Sequence, residues 1–291
     1  MKKILFVICL IVSATFNSLS QNAARMNLVS VDTGYVIVDG GKLYYELAGK
    51  GKNIVLLHDG MVNREIWDEQ FPLLAEKFRV VRYDRRGYGK SSDPEMKYSH
   101  IEDLNRLFIQ LNIDKAIIFG MSSGGRLAID FTLTYPEKVE GLVLVGAVVS
   151  GFGYTSHMQT RGGHFDPQKY SDPVKVNEYF ILDDPYEIYS ENTSAKERVM
   201  KLLPGLAREN RVPTQPASKV AVRSLSDIKV PALILVGEFD IPDVHAHAGV
   251  INAGIADSKR EIIPRSGHLI PIEQPALFNE AIMNFLNKFP E

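Results

Sequence analysis

Cysteine is nearly missing from this chain of 291 residues; the single one is Cys9. A lone cysteine excludes an intrachain disulfide framework. Long hydrophobic runs are missing too. The longest apolar stretch near the start, Ile4 to Val12, is too short to cross a bilayer. An excess of basic charge is also lacking: the formal net charge is −2 and no basic stripe occurs, which argues against nucleic acid as a partner. No internal repeat, low-complexity tract or coiled-coil pattern supports a pure interaction module.

What stands at the start is a secretory pattern. Lys2 and Lys3 precede the apolar stretch, and Ser18-Leu19-Ser20 offers a small-residue cleavage site before Gln21. The expectation is a signal peptide over 1–20, removed after Ser20, and a secreted or periplasmic protein with no membrane association once cleaved. Cys9 lies within the apolar stretch rather than just after it, so a lipidated cysteine is not expected, and the mature chain would have no thiol for catalysis.

Residues 21–33 are polar and aperiodic and read as a flexible lead-in. Tyr35 to Val38 and Leu43 to Leu47 then predict a hairpin turned at Asp39-Gly40-Gly41. Strand-like and helix-like segments alternate afterwards. Strands are predicted at Asn53 to His58, Arg79 to Tyr83, Lys115 to Phe119 and Val139 to Val149, with helical segments at Arg64 to Lys77, Glu102 to Leu111 and Ser123 to Tyr135. The valine-rich run ending at Val149 suits a strand buried on both faces of a parallel sheet. The rhythm breaks over 151–222, which is rich in aromatics, prolines and charges, and resumes with strands at Pro231 to Val236 and Arg260 to Ile263 and helices at His245 to Gly254 and Pro275 to Lys288. The pattern predicts an α/β fold: a mostly parallel central sheet with helices on both faces, made of 34–150 and 223–291, carrying an inserted cap over 151–222.

Gly120-Met121-Ser122-Ser123-Gly124 joins a predicted strand to a predicted helix, the context a G-x-S-x-G nucleophile elbow needs. A serine hydroxyl needs a base to take its proton, and the base needs an orienting acid. Asp240 follows one later strand and His268 follows the last, so the chain order is Ser122, Asp240, His268. Open parallel sheets gather such groups beyond the carboxyl ends of their strands.

With Leu56-Leu57-His58-Asp59-Gly60, the loop Tyr83-Asp84-Arg85-Arg86-Gly87-Tyr88-Gly89-Lys90-Ser91, the elbow, Gly237-Glu238-Phe239-Asp240 and Ser266-Gly267-His268, the chain resembles the α/β-hydrolase fold superfamily, in its small cap-bearing serine esterase type. The resemblance implies Ser122 as nucleophile, Asp240 as acid and His268 as base. It also implies backbone N–H groups of Gly60 and Ser123 as the oxyanion hole. The usual His-Gly of the oxyanion loop is His58-Asp59 here, so the Asp59 carboxylate either lies near the site or points away from it, the hole using backbone and not side chains, and Asp59 is the neighbouring candidate for Gly60's role. Glu238 and Asp243 are the neighbouring acids; the family uses the later position after the strand, which is Asp240, and Asp243 lies beyond Pro242.

His58 reads as a structural hydrogen-bonding residue, and His245 and His247 are wrongly spaced for a helical zinc pair. Asp84 to Gly87 reads as an ion-paired turn rather than a phosphate site. No metal and no cofactor is expected, since acyl transfer by this route uses side chains, backbone donors and water. The cap aromatics Phe152, Tyr154, Phe165, Tyr170, Tyr179, Phe180, Tyr186 and Tyr189 are candidates either to line a substrate pocket or to join cap to core. The expected function is hydrolysis of a small or medium carboxylic ester, the partner being a small-molecule substrate. A proline-releasing aminopeptidase, a lactonase, a carbon–carbon bond hydrolase or a cofactor-free haloperoxidase would use the same triad, and a non-catalytic ligand receptor is the alternative of another class.

Overall fold

A computed structural model describes residues 30–290 of the chain except 167, 171, 190, 203–211 and 213. The expected signal peptide and positions 21–29 of the lead-in lie outside the described residues. Eight strands form one sheet: β1 (Val31–Val38), β2 (Gly41–Ala48), β3 (Asn53–Leu57), β4 (Arg79–Tyr83), β5 (Ala116–Met121), β6 (Val139–Val145), β7 (Ala232–Gly237) and β8 (Ser258–Ile263). Their order across the sheet is β1-β2-β4-β3-β5-β6-β7-β8. β1–β2 and β2–β4 pair antiparallel and all other neighbours pair parallel. β1 starts at Val31, inside the stretch expected as lead-in, because its whole length finds a ladder partner in β2.

The helices are α1 (Gln70–Ala75), α2 (His100–Gln110), α3 (Ser123–Thr134), α4 (Ser156–Thr160), α5 (Pro173–Glu178), α6 (Thr193–Leu202), α7 (Pro242–Gly254), α8 (Ile270–Glu273) and α9 (Pro275–Leu286). The segment expected as one helix over 64–77 is broken into a 3₁₀ turn, Arg64–Trp67, and the short α1. Pro72 has no N–H for a bond to the preceding turn, so the helix can begin only just before it. The run to Val149 leaves the sheet at Val145, where Gly146 turns the backbone at φ +52°. α7 begins earlier than expected, at Pro242, a position where the missing N–H costs nothing.

Alternation along the central strands builds two cores, one on each face of the sheet. Val55, Leu57, Ile118, Leu142, Leu144, Ile234 and Val236 point to one face, against Leu104, Phe108 and Phe131. Ile54, Leu56, Ile117, Phe119, Val143, Val145, Leu233 and Leu235 point to the other, against Trp67, Phe71 and Phe278. Both faces are covered, which is why these strands read as continuous apolar runs. β3 has β4 on one side and β5 on the other. The connection out of β3 therefore leaves toward one edge and that out of β5 toward the opposite edge. At such a switch point a crevice opens beyond the strand ends. Here it is bounded by the loops after Leu57 and Met121.

Phe119 is fully buried with its ring centroid 6.5 Å from that of Trp67. Phe119→Ala is expected to lower stability by about 3–5 kcal/mol. Chemical denaturation followed by Trp67 fluorescence measures it.

Candidate functional site

The elbow is built as its composition demands. Ser122 sits at φ 51°, ψ −114°, a strained conformation for a residue with a side chain. Its N–H donates to Val145 O at 2.8 Å, and its carbonyl accepts Arg126 N–H at 3.0 Å to start α3. A side chain at Gly124 would lie 2.4 Å from His58 O, so only glycine lets the loop after β3 approach the helix. That approach sets Gly60 beside Ser123: a Cβ on Gly60 would lie 3.2 Å from Ser123 Oγ. Tyr88 Oη donates to Gly60 O at 3.1 Å, which orients this peptide.

His268 and Asp240 meet as the chain order suggested, Nδ1 to Oδ2 at 2.7 Å, and both are buried. The other carboxylate oxygen of Asp240 accepts Ile241 N–H at 2.7 Å. Glu238 instead accepts Arg265 N–H, and Asp243 binds Thr155 through its backbone N–H and its hydroxyl, so neither rival acid serves the imidazole. The pair rests on Gly146, where a Cβ would fall 2.8 Å from His268 Cε1 and 3.4 Å from Asp240 Oδ2. Gly146 directly follows Val145, the residue holding Ser122. The backbone of Ser122 and the side chains of His268 and Asp240 thus meet at one turn, although Ser122 Oγ forms no hydrogen bond to His268 among the described residues. Such contacts are often loose before substrate binds.

Residues of the 151–222 insertion hold the imidazole loop from above. His268 N–H donates to the carbonyls of Tyr186 and Glu187 at 3.0 and 2.8 Å, and Leu269 N–H to Glu187 O at 3.2 Å. The Glu273 carboxylate ties the same parts together, accepting Gly267 N–H at 2.9 Å and Tyr189 N–H at 2.6 Å. Burial pushes the Glu273 carboxyl up to about 7, against these backbone donors.

Two further carboxylates reach the imidazole. Ligand atoms of Asp59, Glu187 and His268 all lie within 4.8 Å of one another, and all three residues are buried. Among the described residues this is the group that could offer three ligands to a cation. Asp59 Oδ1 accepts Met61 and Val62 N–H, and burial raises its pKa despite those donors and the nearby His268. Glu187 Oε2 accepts Arg161 Nη2 at 3.1 Å, while Oε1 is buried without a partner. Burial pushes the Glu187 carboxyl up to about 7, with His268 and Arg161 opposing. Burial alone would lower the His268 pKa; Asp240, Glu187 and Asp59 outweigh it and raise it to about 10.

His58 is a brace. Its Nδ1 faces Asp59 O at 2.7 Å and its Nε2 accepts Arg85 N–H at 2.9 Å, and burial holds its pKa well below the ordinary value. Asp84 accepts Arg64 and Lys90, and Arg86 pairs with Asp103 at 2.6 Å, which makes this loop an ion-paired turn. Arg85 departs from that pattern, with no salt bridge among the described residues; its guanidinium donates to Asp59 O and to Ser123 Oγ. His247 accepts Val149 N–H at 3.1 Å and packs against Phe152 and Tyr154, apart from any metal group. Most of the insertion's aromatics pack on protein: Phe165, Tyr170, Tyr179 and Phe180 on each other, and Tyr189 flat on Phe239 at 4.5 Å. Sequence reasoning missed Glu187, Glu273 and Gly146, since no local motif marks them, and read Arg85 as one of an ion-paired turn rather than as a donor to Asp59 O and Ser123 Oγ.

Residues 52–275 match the family model described as alpha/beta hydrolase fold. Over 272 residues the chain is 28% identical to a putative 2-succinyl-6-hydroxy-2,4-cyclohexadiene-1-carboxylate synthase of Bacillus subtilis, covering 83% of this chain and 94% of that one. It is 30% identical over 263 residues to a 2-hydroxy-6-oxononadienedioate/2-hydroxy-6-oxononatrienedioate hydrolase of Escherichia coli, covering 84% and 91%. Among solved structures, naproxen esterase from Bacillus subtilis superposes with a TM-score of 0.72 at 20% identity, covering 94% and 96% of the two chains, a likeness of fold. With the family model spanning most of the sheet and every loop around the elbow, the chain belongs to the alpha/beta hydrolase fold family.

Proposed function

We propose that the protein is a serine hydrolase that cleaves a small or medium carboxylic ester through an acyl-enzyme on Ser122. The observation that carries this reading is the buried Asp240–His268 pair seated on Gly146, the residue after the one that anchors the strained Ser122. His268 takes the Ser122 proton as Oγ attacks the carbonyl carbon. Asp240 holds the imidazole tautomer and stabilises its charged form. The N–H groups of Gly60 and Ser123 receive the developing oxyanion, each worth on the order of 3 kcal/mol. The alcohol leaves with the proton from His268, and water activated by the same imidazole releases the acid. A second reading, carbon–carbon bond hydrolysis, is favoured by the kind of substrate named for the Escherichia coli relative.

Ser122→Ala is expected to reduce ester turnover by about 10⁴-fold or more while leaving the thermal midpoint in place. A chromogenic ester panel and a fluorophosphonate probe measure it. Undiminished turnover in the variant rejects Ser122; labelling of the wild type at Ser122 without turnover of any ester, lactone or dienoate points to a receptor.

The base must be neutral to act, and the carboxylates around His268 favour its charged form. Glu187→Gln removes one of those charges and keeps the backbone carbonyl that holds the loop. The imidazole pKa falls, so the acidic limb of the kcat/KM profile is expected to move to lower pH. An unmoved limb separates Glu187 from the base.

A further inference from the structure

A cavity of about 310 Å³ opens beside the Gly60–Ser123 pair. Gly60 and Ser123 form part of its wall, together with Arg85, Tyr88, His100, Arg126 and, near the insertion's end, Thr214, Gln215 and Ala217; His268, Asp59 and Glu187 do not. Charge is therefore sorted across the site, with carboxylates around the base and guanidinium groups around this cavity.

The charged groups on its wall among the described residues are Arg85, Arg126 and Asp130. Arg85, from the loop after β4, is buried, lies over the Tyr88 ring, and has its Nε without a hydrogen-bond partner. Arg126, on the first turn of α3, has a side chain half exposed and a single long ion pair, 3.8 Å to Asp130. Asp130 is the one acid on the wall among the described residues. It is occupied by the Ser150 hydroxyl at 3.0 Å, and burial raises its pKa. His100, on α2, is driven down to about 3 by burial and by the field of Arg85, Arg86 and Arg126, so it faces the cavity as a neutral ring. Two cations against one engaged carboxylate leave this wall positive. A guanidinium group matches a carboxylate better than any neutral group. A backbone bridge between Tyr98 and Thr214 and the bond from Gln215 N–H to Tyr98 O at 2.7 Å hold the opposite wall in place.

We propose that this cavity seats a carboxylate of the substrate between Arg126 and Arg85, so that the favoured substrate is a half-ester of a short dicarboxylic acid rather than a neutral ester. This rests on the acyl-transfer reading of Ser122, because Gly60 and Ser123 would hold the reacting carbonyl while the second acid group extends past them. The anionic end then fixes which bond is presented to Ser122, and the positive wall offsets the negative field of Asp59 at the hole.

The test compares monomethyl succinate with methyl butyrate, two acyl chains of equal length differing in the terminal charge, by pH-stat. The wild type is expected to favour the anionic ester at least tenfold in kcat/KM, with the preference falling as salt rises. Arg126→Gln, a change on a half-exposed side chain, is expected to cut that ratio at least fivefold, and Arg126→Lys to cut it less. Calorimetry of monomethyl succinate on Ser122→Ala gives a readout free of turnover: binding is expected there and its loss in Ser122→Ala/Arg126→Gln. Equal or better use of methyl butyrate by the wild type, or binding unaffected by Arg126→Gln, overturns the cavity assignment. Binding of monomethyl succinate by Ser122→Ala with no ester turned over by the wild type keeps the cavity and rejects the ester reading alone.

Discussion

The Asp240–His268 hydrogen bond is the contact on which the arrangement of the site depends. Its two residues come from loops after different strands, and both are buried. Below it, Gly146 leaves the space an alanine would fill. Above it, two carbonyls of the insertion grip the backbone of His268, and Glu273 bridges that loop to Tyr189. A 2.7 Å contact between an imidazole and a carboxylate is strong in such surroundings because little water competes for it. The same burial makes it costly to break, so the insertion is part of the site's frame as well as its cover.

Charge management follows from that burial. Asp59 and Glu187 add to Asp240 around one ring, and each is pushed toward its neutral form by desolvation. Arg161 partly offsets this through Glu187 and Asp184. Beside the Gly60–Ser123 pair the sign reverses, with Arg85 and Arg126 on the wall of the neighbouring cavity. The His268 imidazole and the Gly60–Ser123 pair thus lie near charges of opposite sign. The sheet supplies the distance between them: β3 and β5 are neighbours, and their connections diverge at the switch point.

Local signals were legible where function needs a particular residue type at a particular turn. The elbow, the loop from Tyr83 to Ser91 and the order of Ser122, Asp240 and His268 were of this kind. Asp240 was separable from Glu238 and Asp243 only by analogy until the hydrogen bonds of all three were seen. Arg85 looked like Arg86, yet one faces the oxyanion loop and the other pairs with Asp103. The insertion's aromatics were open to two readings, and most of the described ones pack against protein rings.

Sequence alone was enough to determine the alternating two-face core and the strained turn at Ser122. Each of those rests on periodicity or on short-range steric rules. Only the tertiary structure decided that Glu187, some eighty residues from His268, would add to the field of Asp240 on that imidazole, that Gly146 would carry it, and that Arg85 and Arg126 would share a cavity. Those placements depend on which loops the sheet order brings together. Contacts between distant segments leave no periodic trace in the chain that makes them.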